Sequence, residues 1–96
     1  MASNNYAHLN TLATAVLAAQ ACELNEVTIN TAGASSNTMV LYDSATAAGA
    51  SSANQIAAIN TVVTNPVTLT YNVQCRNGLV AVLAAGTSAD VTVSFR

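Results

Sequence analysis

The side chains able to do acid, base or nucleophilic chemistry are few and widely spaced in this sequence. His8 is the only histidine, and it lies in a polar N-terminal stretch. A serine nucleophile needs a base within hydrogen-bond reach and a third group that orients the base. The candidate serines occupy small-residue loops without a G-x-S-x-G context: Ser35, Ser36, Ser51 and Ser52. We therefore predict that the protein is not an enzyme.

The cysteines and carboxylates do not form a recognisable site either. Cys22 and Cys75 are too few for a disulfide framework and lack C-x-x-C spacing, so we interpret them as buried, reduced thiols, with a disulfide as the alternative. Asp43 and Asp90 fall at predicted strand ends, where aspartate accepts backbone N–H groups in turns. A calcium site would need several more oxygen ligands. We expect no metal and no cofactor.

The composition restricts the classes of partner. The chain has 96 residues, of which 6% are charged, and its net charge is −2 with no lysine. So few basic residues exclude the electrostatic footprint of a nucleic-acid-binding protein. No apolar run is long enough for a membrane span, and the N-terminus lacks the basic and apolar regions of a secretory signal. We expect a protein made in a cytoplasm whose weakly charged surface favours association.

The strand signal is strongest from residue 67 onwards. "VTLTYNVQC" alternates, with Val67, Leu69, Tyr71, Val73 and Cys75 on one face. Asn77-Gly78 is the preferred dipeptide of a type I′ hairpin turn, and it predicts that "LVAVLAA" returns as a buried strand paired with the first. "GTSAD" predicts a second turn, and "VTVSF" a last strand with Val91, Val93 and Phe95 inward.

The first half of the chain is less regular. Residues 1–10 predict an unpaired, extended arm, and residues 11–24 fit either a helix or a strand, of which we favour the strand. "EVTINT" alternates, but Val27 and Ile29 have the opposite parity to Cys22 and Leu24, which predicts a bulge near Asn25 and Glu26. "TAGASSN" and "SATAAGASSAN" read as loops, "MVLYD" as a central strand, and Asn65-Pro66 as a break.

These elements predict an all-β protein, a small antiparallel β-sandwich of jelly-roll or immunoglobulin-like type. Short strands with a turn every eight to twelve residues are typical of that class. The arm would cover residues 1–10 and a single sandwich domain residues 11–96. The polar face of the 67–75 strand carries hydroxyl and amide side chains and ends at Arg76. It offers no nucleophile with its base, so we interpret it as a wall or an interface.

The pattern "LNEVTINTAG…NTMVLYDSATA…PVTLTYNVQCRNGLVAVLAAGTSADVTVSFR" resembles a group of small virion proteins of tailed bacteriophages. The resemblance covers residues 24–96, about three quarters of the chain. It implies a non-enzymatic decoration, or cement, protein that binds the major capsid protein on the outer capsid surface as an oligomer, expected to be a homotrimer. Such a protein is made in the host cytoplasm and stabilises the mature shell.

The resemblance makes the arm and the two small-residue loops the candidate contact regions. The interface residues predicted on this basis are Tyr6, His8, Ser35, Ser36, Ser51, Ser52 and Arg76. Two alternatives remain open. One is a phage tail or fibre component, and the other is a small carbohydrate-binding or adhesion module, although the chain has no tryptophan to stack on sugars.

Overall fold

The computed structural model describes residues 5–63 and 66–96, which form eight β-strands and one 3-10 helix at Ser52–Asn54. In chain order the strands are β1 Asn5–Leu9, β2 Ala13–Ala18, β3 Cys22–Thr31, β4 Thr38–Tyr42, β5 Gln55–Asn60, β6 Val67–Cys75, β7 Leu79–Ala84 and β8 Asp90–Phe95. Within these residues no helix has the length and apolar character needed to cross a membrane.

The strands form two four-stranded antiparallel sheets. Sheet A has the order β1-β8-β3-β6, and sheet B has the order β2-β7-β4-β5. β1 pairs with β8, β2 with β7, β3 with β6 and β4 with β5, so the first half of the chain runs antiparallel to the second half as one long ribbon. A ribbon wound in this way into two sheets is an eight-stranded jelly roll. The predicted β-sandwich is confirmed, and its topology is jelly-roll, not immunoglobulin-like.

The core lies between the sheets and is lined by the inward residues of both. The largest fully buried apolar side chains come from five strands and include Leu24, Ile29, Met39, Leu41 and Leu79. Because side chains alternate across a strand, each of these residues has a neighbour on the outer face of its sheet. The last strand follows the prediction, since Val91, Val93 and Phe95 all belong to the core.

The predicted bulge in β3 is confirmed. The pairing of β3 with both β6 and β8 shifts register between Leu24 and Glu26, which leaves Asn25 as the irregular residue. The bulge changes the parity of the strand, so residues on both sides of it point inward. The buried residues of β3 that it reconciles are Cys22, Leu24, Val27 and Ile29.

The predicted hairpin at Asn77-Gly78 is wrong. β6 belongs to sheet A and β7 to sheet B, so residues 76–78 carry the chain from one sheet to the other. Neither Asn77 nor Gly78 has the positive φ that a type I′ turn requires. Gly78 is needed for another reason: a Cβ atom there would lie 2.5 Å from the carbonyl oxygens of Ala18 and Ser44. The turn after β7 likewise crosses between sheets.

The prediction of an unpaired arm is also wrong for residues 5–9. Residues 5–9 form β1, which pairs along its whole length with β8 and is an edge strand of sheet A. Ala7 and Leu9 pack on the core, while Tyr6 and His8 alternate with them. The physical reason is that β8 has an open edge, and pairing satisfies its backbone groups. Residues 1–4 lie outside the described residues.

The remaining predictions for the first half of the chain agree with the structure, with one refinement. Residues 11–24 are extended as favoured, but a bend at residues 19–21 divides them between β2 and β3. β4 is an inner strand of sheet B, as "MVLYD" predicts. Of the predicted break at Asn65-Pro66, Asn65 lies outside the described residues, and Pro66 immediately precedes β6.

Candidate interaction surfaces

The outer face of sheet A is polar, and its side chains bond to one another. Thr28 on β3 and Thr68 on β6 oppose each other with their hydroxyl oxygens 3.1 Å apart. The Ser94 hydroxyl accepts the backbone N–H of Glu26 at 3.2 Å, and the Thr70 hydroxyl donates to the Glu26 carboxylate at 3.4 Å. A surface whose polar groups are paired in this way is stable in water, so the polar face of β6 has the character of a wall.

At one corner of this face, three side chains from three strands meet. His8 Nε2 on β1 lies 2.7 Å from Asp90 Oδ1 at the start of β8. Asn30 on β3 donates to the same carboxylate oxygen at 3.0 Å. The hydrogen bonds from Asn30 and His8 lower the pKa of Asp90. Asp90 therefore holds the edge strand β1 against the sheet. The sequence predicted backbone N–H partners for this carboxylate, whereas the structure places it against the side chains of His8 and Asn30.

This corner does not have the composition of a metal centre. Among the described residues, no group of three or more histidine, cysteine or acidic side chains is placed to hold a metal ion. Asn30 and Asp90 satisfy each other by side-chain hydrogen bonds, and the Thr92 hydroxyl accepts a second bond from Asn30 at 3.1 Å. What the arrangement does is fix the position of β1.

The centre of the outer face of sheet B is apolar, and the polar side chains of Thr14, Thr38, Gln55 and Asn60 lie on the same face around it. Val40 and Tyr42 alternate with core residues of β4, and Val80 and Val82 alternate with core residues of β7. The cross-strand register aligns them in two rows with their neighbours on β2 and β5. The apolar members of this face, named here the sheet B outer face, are Val16, Val40, Tyr42, Ala58, Val80 and Val82.

The sheet B outer face is partly open to solvent in the single chain. Val16 is 45% exposed at the edge, and Ala58 is exposed on the opposite edge strand. Val80, in the middle, has no exposed surface although it lies outside the core cluster. Soluble monomers rarely leave contiguous apolar patches uncovered, and such patches mark contact sites.

The predicted interface residues do not form one surface. Tyr6 and His8 lie on the outer face of sheet A, where Tyr6 is 75% exposed. Ser35 and Ser36, both exposed and both with positive φ, lie in the β3–β4 loop at one end of the sandwich. The other predicted residues lie at the opposite end: Ser51, Ser52 and Arg76. The two "AGASS" loops are therefore on opposite ends of the protein.

The Ser51 end is rigidly built. The Ser51 hydroxyl accepts the N–H of Ala53 at 3.3 Å, and the Asn54 side chain accepts the N–H of Ser51 at 2.9 Å, so the pair forms a capping box for the 3-10 helix. Asp43, at the start of this loop, accepts N–H groups of the residue 76–78 turn, as predicted for an aspartate at a strand end. Ser51 is thus used within its own loop.

The same end of the sandwich contains an open cavity of about 280 Å³. It lies beside the bend between β2 and β3, and its wall includes Leu17, Gln20, Cys22, Phe95 and Arg96. Arg96 is bound to Glu23, with Nε 2.7 Å from the carboxylate, and this hydrogen bond lowers the pKa of Glu23. Cys22 and Cys75 are both buried, as predicted, and both are free thiols.

The sheet B outer face was not among the predicted interface residues, although the sequence contains a signal for it. "MVLY" and "LVAVLA" are continuously apolar, whereas β6 alternates with polar residues. A continuously apolar strand has two apolar faces, and only one of them can face the core of a two-layer sandwich. The other face is the apolar surface now described.

No family model and no curated protein matches this chain. Among solved structures it is similar to the Drosophila NLP core, with a TM-score of 0.58 and 12% sequence identity, over 99% of this chain and 97% of that chain. That structure is described as giving insight into pentamer formation and histone binding. At this level of identity the similarity establishes the fold, and function has to be argued from the surfaces of the chain itself.

Proposed function

We propose that the protein is a non-enzymatic structural component of a tailed-phage particle, which binds the outer surface of the capsid shell as an oligomer and stabilises the mature shell. The observation that carries the proposal is the contrast between the two outer faces. Sheet A presents hydroxyl and amide groups bonded to one another, while the sheet B outer face presents valine, alanine and tyrosine. The first face suits water, and the second suits a protein partner.

The contact is assigned to sheet B on physical grounds. Covering apolar surface stabilises an assembly by about 25 cal/mol per Å² removed from water. No charged residue lies in β2, β4, β5 or β7, so covering their outer face desolvates no ionised group. In this arrangement sheet A, with His8, Asp90 and Glu26, faces solvent on the particle surface.

A bound shell protein stabilises the shell through mass action. If the oligomer binds the mature lattice and not the disassembled subunits, binding stabilises the assembled shell. The stabilisation grows with the logarithm of the ratio of the free oligomer concentration to its Kd. No catalytic group is required for this mechanism.

The fold is compatible with ring-like assembly. The Drosophila NLP core, which has a similar fold, is described as forming a pentamer. This supports an oligomer as the working form, with the homotrimer implied by the phage resemblance as our specific proposal. Histone binding has no such support here, because the chain has four acidic residues against two basic ones and no acidic run.

Sedimentation of the purified protein, alone and mixed with undecorated capsid shells, tests the proposal. We expect a discrete oligomer that pellets with the shells and raises their melting temperature. A shell preparation already saturated with its own decoration protein is the control, and it should leave the added protein in the supernatant. A monomer that stays in the supernatant with undecorated shells would contradict the proposal and direct the search to tails and surface glycans.

A further inference from the structure

The two cysteines face each other across neighbouring strands. Cys22, the first residue of β3, is the direct cross-strand partner of Cys75, the last residue of β6. Both side chains belong to the core cluster. Directly opposed residues in an antiparallel pair have Cβ atoms about 4.5–5.5 Å apart, and a disulfide needs about 3.5–4.5 Å. A small approach of the two strand ends is enough to join them.

The two thiols differ in access. Cys22 is 8% exposed and lines the open cavity beside the β2–β3 bend, whereas Cys75 has no exposed surface. A cavity of about 280 Å³ admits the reacting end of a small disulfide reagent. Such a reagent meets Cys22 first and leaves Cys75 behind it, within reach of the Cys22 sulfur.

We infer that Cys22 and Cys75 are a latent dithiol that closes to an intramolecular disulfide when the protein meets a disulfide oxidant, with Cys22 as the attacking thiol and Cys75 as the resolving thiol. Closure is independent of the proposed capsid role. It ties the edge strand β6 to the central strand β3 and encloses more than half of the chain in a covalent loop.

The chemistry balances with glutathione disulfide as the oxidant. The Cys22 thiolate attacks one sulfur of the reagent, which forms a mixed disulfide and releases one glutathione thiolate. The Cys75 thiol then loses its proton and attacks the Cys22 sulfur, which releases the second glutathione. The protein loses two electrons and two protons, and one glutathione disulfide becomes two glutathione molecules.

The environment keeps this pair reduced until an oxidant is abundant. Burial raises the pKa of Cys22, and it raises the pKa of Cys75 to about 12. The thiolate is the reactive form, so both steps are slow at neutral pH and accelerate as the pH rises. A reducing cytoplasm therefore leaves the dithiol open, and an oxidising medium closes it.

The experiment is intact-mass analysis of the folded, full-length protein after incubation with glutathione disulfide at about pH 8, followed by alkylation of remaining thiols in denaturant. We expect a monomeric chain lighter by two hydrogen atoms, with no alkyl group attached. Its melting temperature should rise by at least about 10 °C over the reduced protein, because a long loop is closed. Two free thiols after incubation, a stable glutathione adduct, or disulfide-linked dimers would each overturn the inference.

Two variants test the order of attack. Cys75→Ala should stop at a glutathione adduct on Cys22, because no resolving thiol is present. Cys22→Ala should gain no adduct, since Cys75 is inaccessible in the folded chain. If Cys22→Ala takes up glutathione as fast as Cys75→Ala does, the assigned order is wrong. The wild-type mass measurement stands even if either variant folds poorly.

Discussion

The carboxylate of Asp43, at the end of β4 in sheet B, accepts the backbone N–H of Asn77 at 2.8 Å, just after β6 of sheet A has ended. The same carboxylate accepts the N–H groups of Arg76 at 3.0 Å and Gly78 at 3.3 Å. One side chain thus binds three successive N–H groups of the segment that crosses between the sheets. Asp43 lies 34 residues before Asn77 in the chain, so it binds this segment only when both sheets are formed.

The Asp43 anchor predicts a loss of stability in acid. Partial burial alone would raise the pKa of Asp43, but the hydrogen bonds from Asn77, Arg76 and Gly78 and the Arg76 charge outweigh it and lower the pKa. The unfolded chain therefore binds the proton first as the pH falls. The contribution of Asp43 is complete above its unfolded pKa of about 3.9 and is lost as the pH falls through the folded value.

Urea unfolding of wild type and Asp43→Asn between about pH 2 and pH 7 measures this effect. We expect the variant to be less stable by about 1–2 kcal/mol at neutral pH, because it loses charge-assisted hydrogen bonds, and to lose less on acidification. Glu26→Gln is the matched control, since the Glu26 carboxylate is exposed and accepts the Thr70 hydroxyl at 3.4 Å, away from the crossing segment. Equal stability of wild type and Asp43→Asn at neutral pH would show that the anchor is unimportant.

In the crossing segment, substitutions at two adjacent residues should lower the free energy of unfolding by very different amounts. In Gly78→Ala the new Cβ would meet backbone oxygens of Ala18 and Ser44, which cannot rotate away, so we expect a loss of about 3 kcal/mol in the free energy of unfolding. Asn77→Ala should cost less than about 1 kcal/mol, because Asn77 does not need positive φ. A hairpin of type I′ would instead make Asn77→Ala costly, and denaturant titration distinguishes the two results.

Asn37 is the polar residue on which the opposite end of the sandwich depends. Its side chain has no exposed surface and donates to the carbonyl oxygens of Ala84 at 3.2 Å and Ala85 at 2.9 Å. Its oxygen accepts the N–H of Ala89 at 3.1 Å. Asn37→Ala leaves these buried groups unpaired, and we expect it to lower the free energy of unfolding by about 3 kcal/mol.

The control for Asn37→Ala is Asn60→Ala. Asn60 is exposed and accepts one backbone N–H, from Val62 at 2.9 Å. Its substitution should cost less than about 1 kcal/mol, since water replaces the lost bond. If the two variants lose similar stability in the same urea titration, the buried network is not what holds this end together.

The two outer faces should respond differently to an added charge. Ala58→Lys places an ammonium group on the sheet B outer face, and burying it against a partner should weaken oligomer and shell binding at least about tenfold. Thr68→Lys is the matched control on the outer face of sheet A. Like Ala58 in sheet B, Thr68 is an exposed residue of an edge strand. Co-sedimentation with undecorated shells measures both.

Tyr6→Ala separates the present proposal from the contact region expected from the sequence. Tyr6 lies on the outer face of sheet A, which the proposal turns to solvent. If Tyr6→Ala abolishes shell binding while Ala58→Lys leaves it unchanged, sheet A is the contact face and the assignment to sheet B is wrong.

Sequence patterns predicted what each strand does locally, because alternation is a property of neighbouring residues. The inward set of β6, the bulge at Asn25 and the last strand follow directly from parity. Pairing partners are a different matter, since alternation does not say which strand lies beside which. Asn77-Gly78 favoured a local hairpin, but the carboxylate of Asp43 and the packing of Gly78 fix a crossing between sheets instead.

The candidate interface shows the same limit. "NYAHL" alternates, but only two of its residues, Ala7 and Leu9, are apolar and pack on the core. So short an apolar pattern did not predict that this segment is an edge strand. The composition of the two serine-containing loops predicted contact regions, yet the fold places these loops at opposite ends of the sandwich. The sheet B outer face appears only when strands distant in the chain are aligned, because its rows take one residue from each of four strands.

The ribbon pairing of the two chain halves also governs when the protein can fold during synthesis. β1 has no partner in its own sheet until β8 exists, and β2 waits for β7 in the same way. β4 and β5 are the pair that can form early, since they are adjacent in the chain. Folds dominated by such distant contacts acquire their structure slowly. A ribosome therefore carries these strands largely unpaired until β8 has emerged, and the aggregation-prone interval lasts until then.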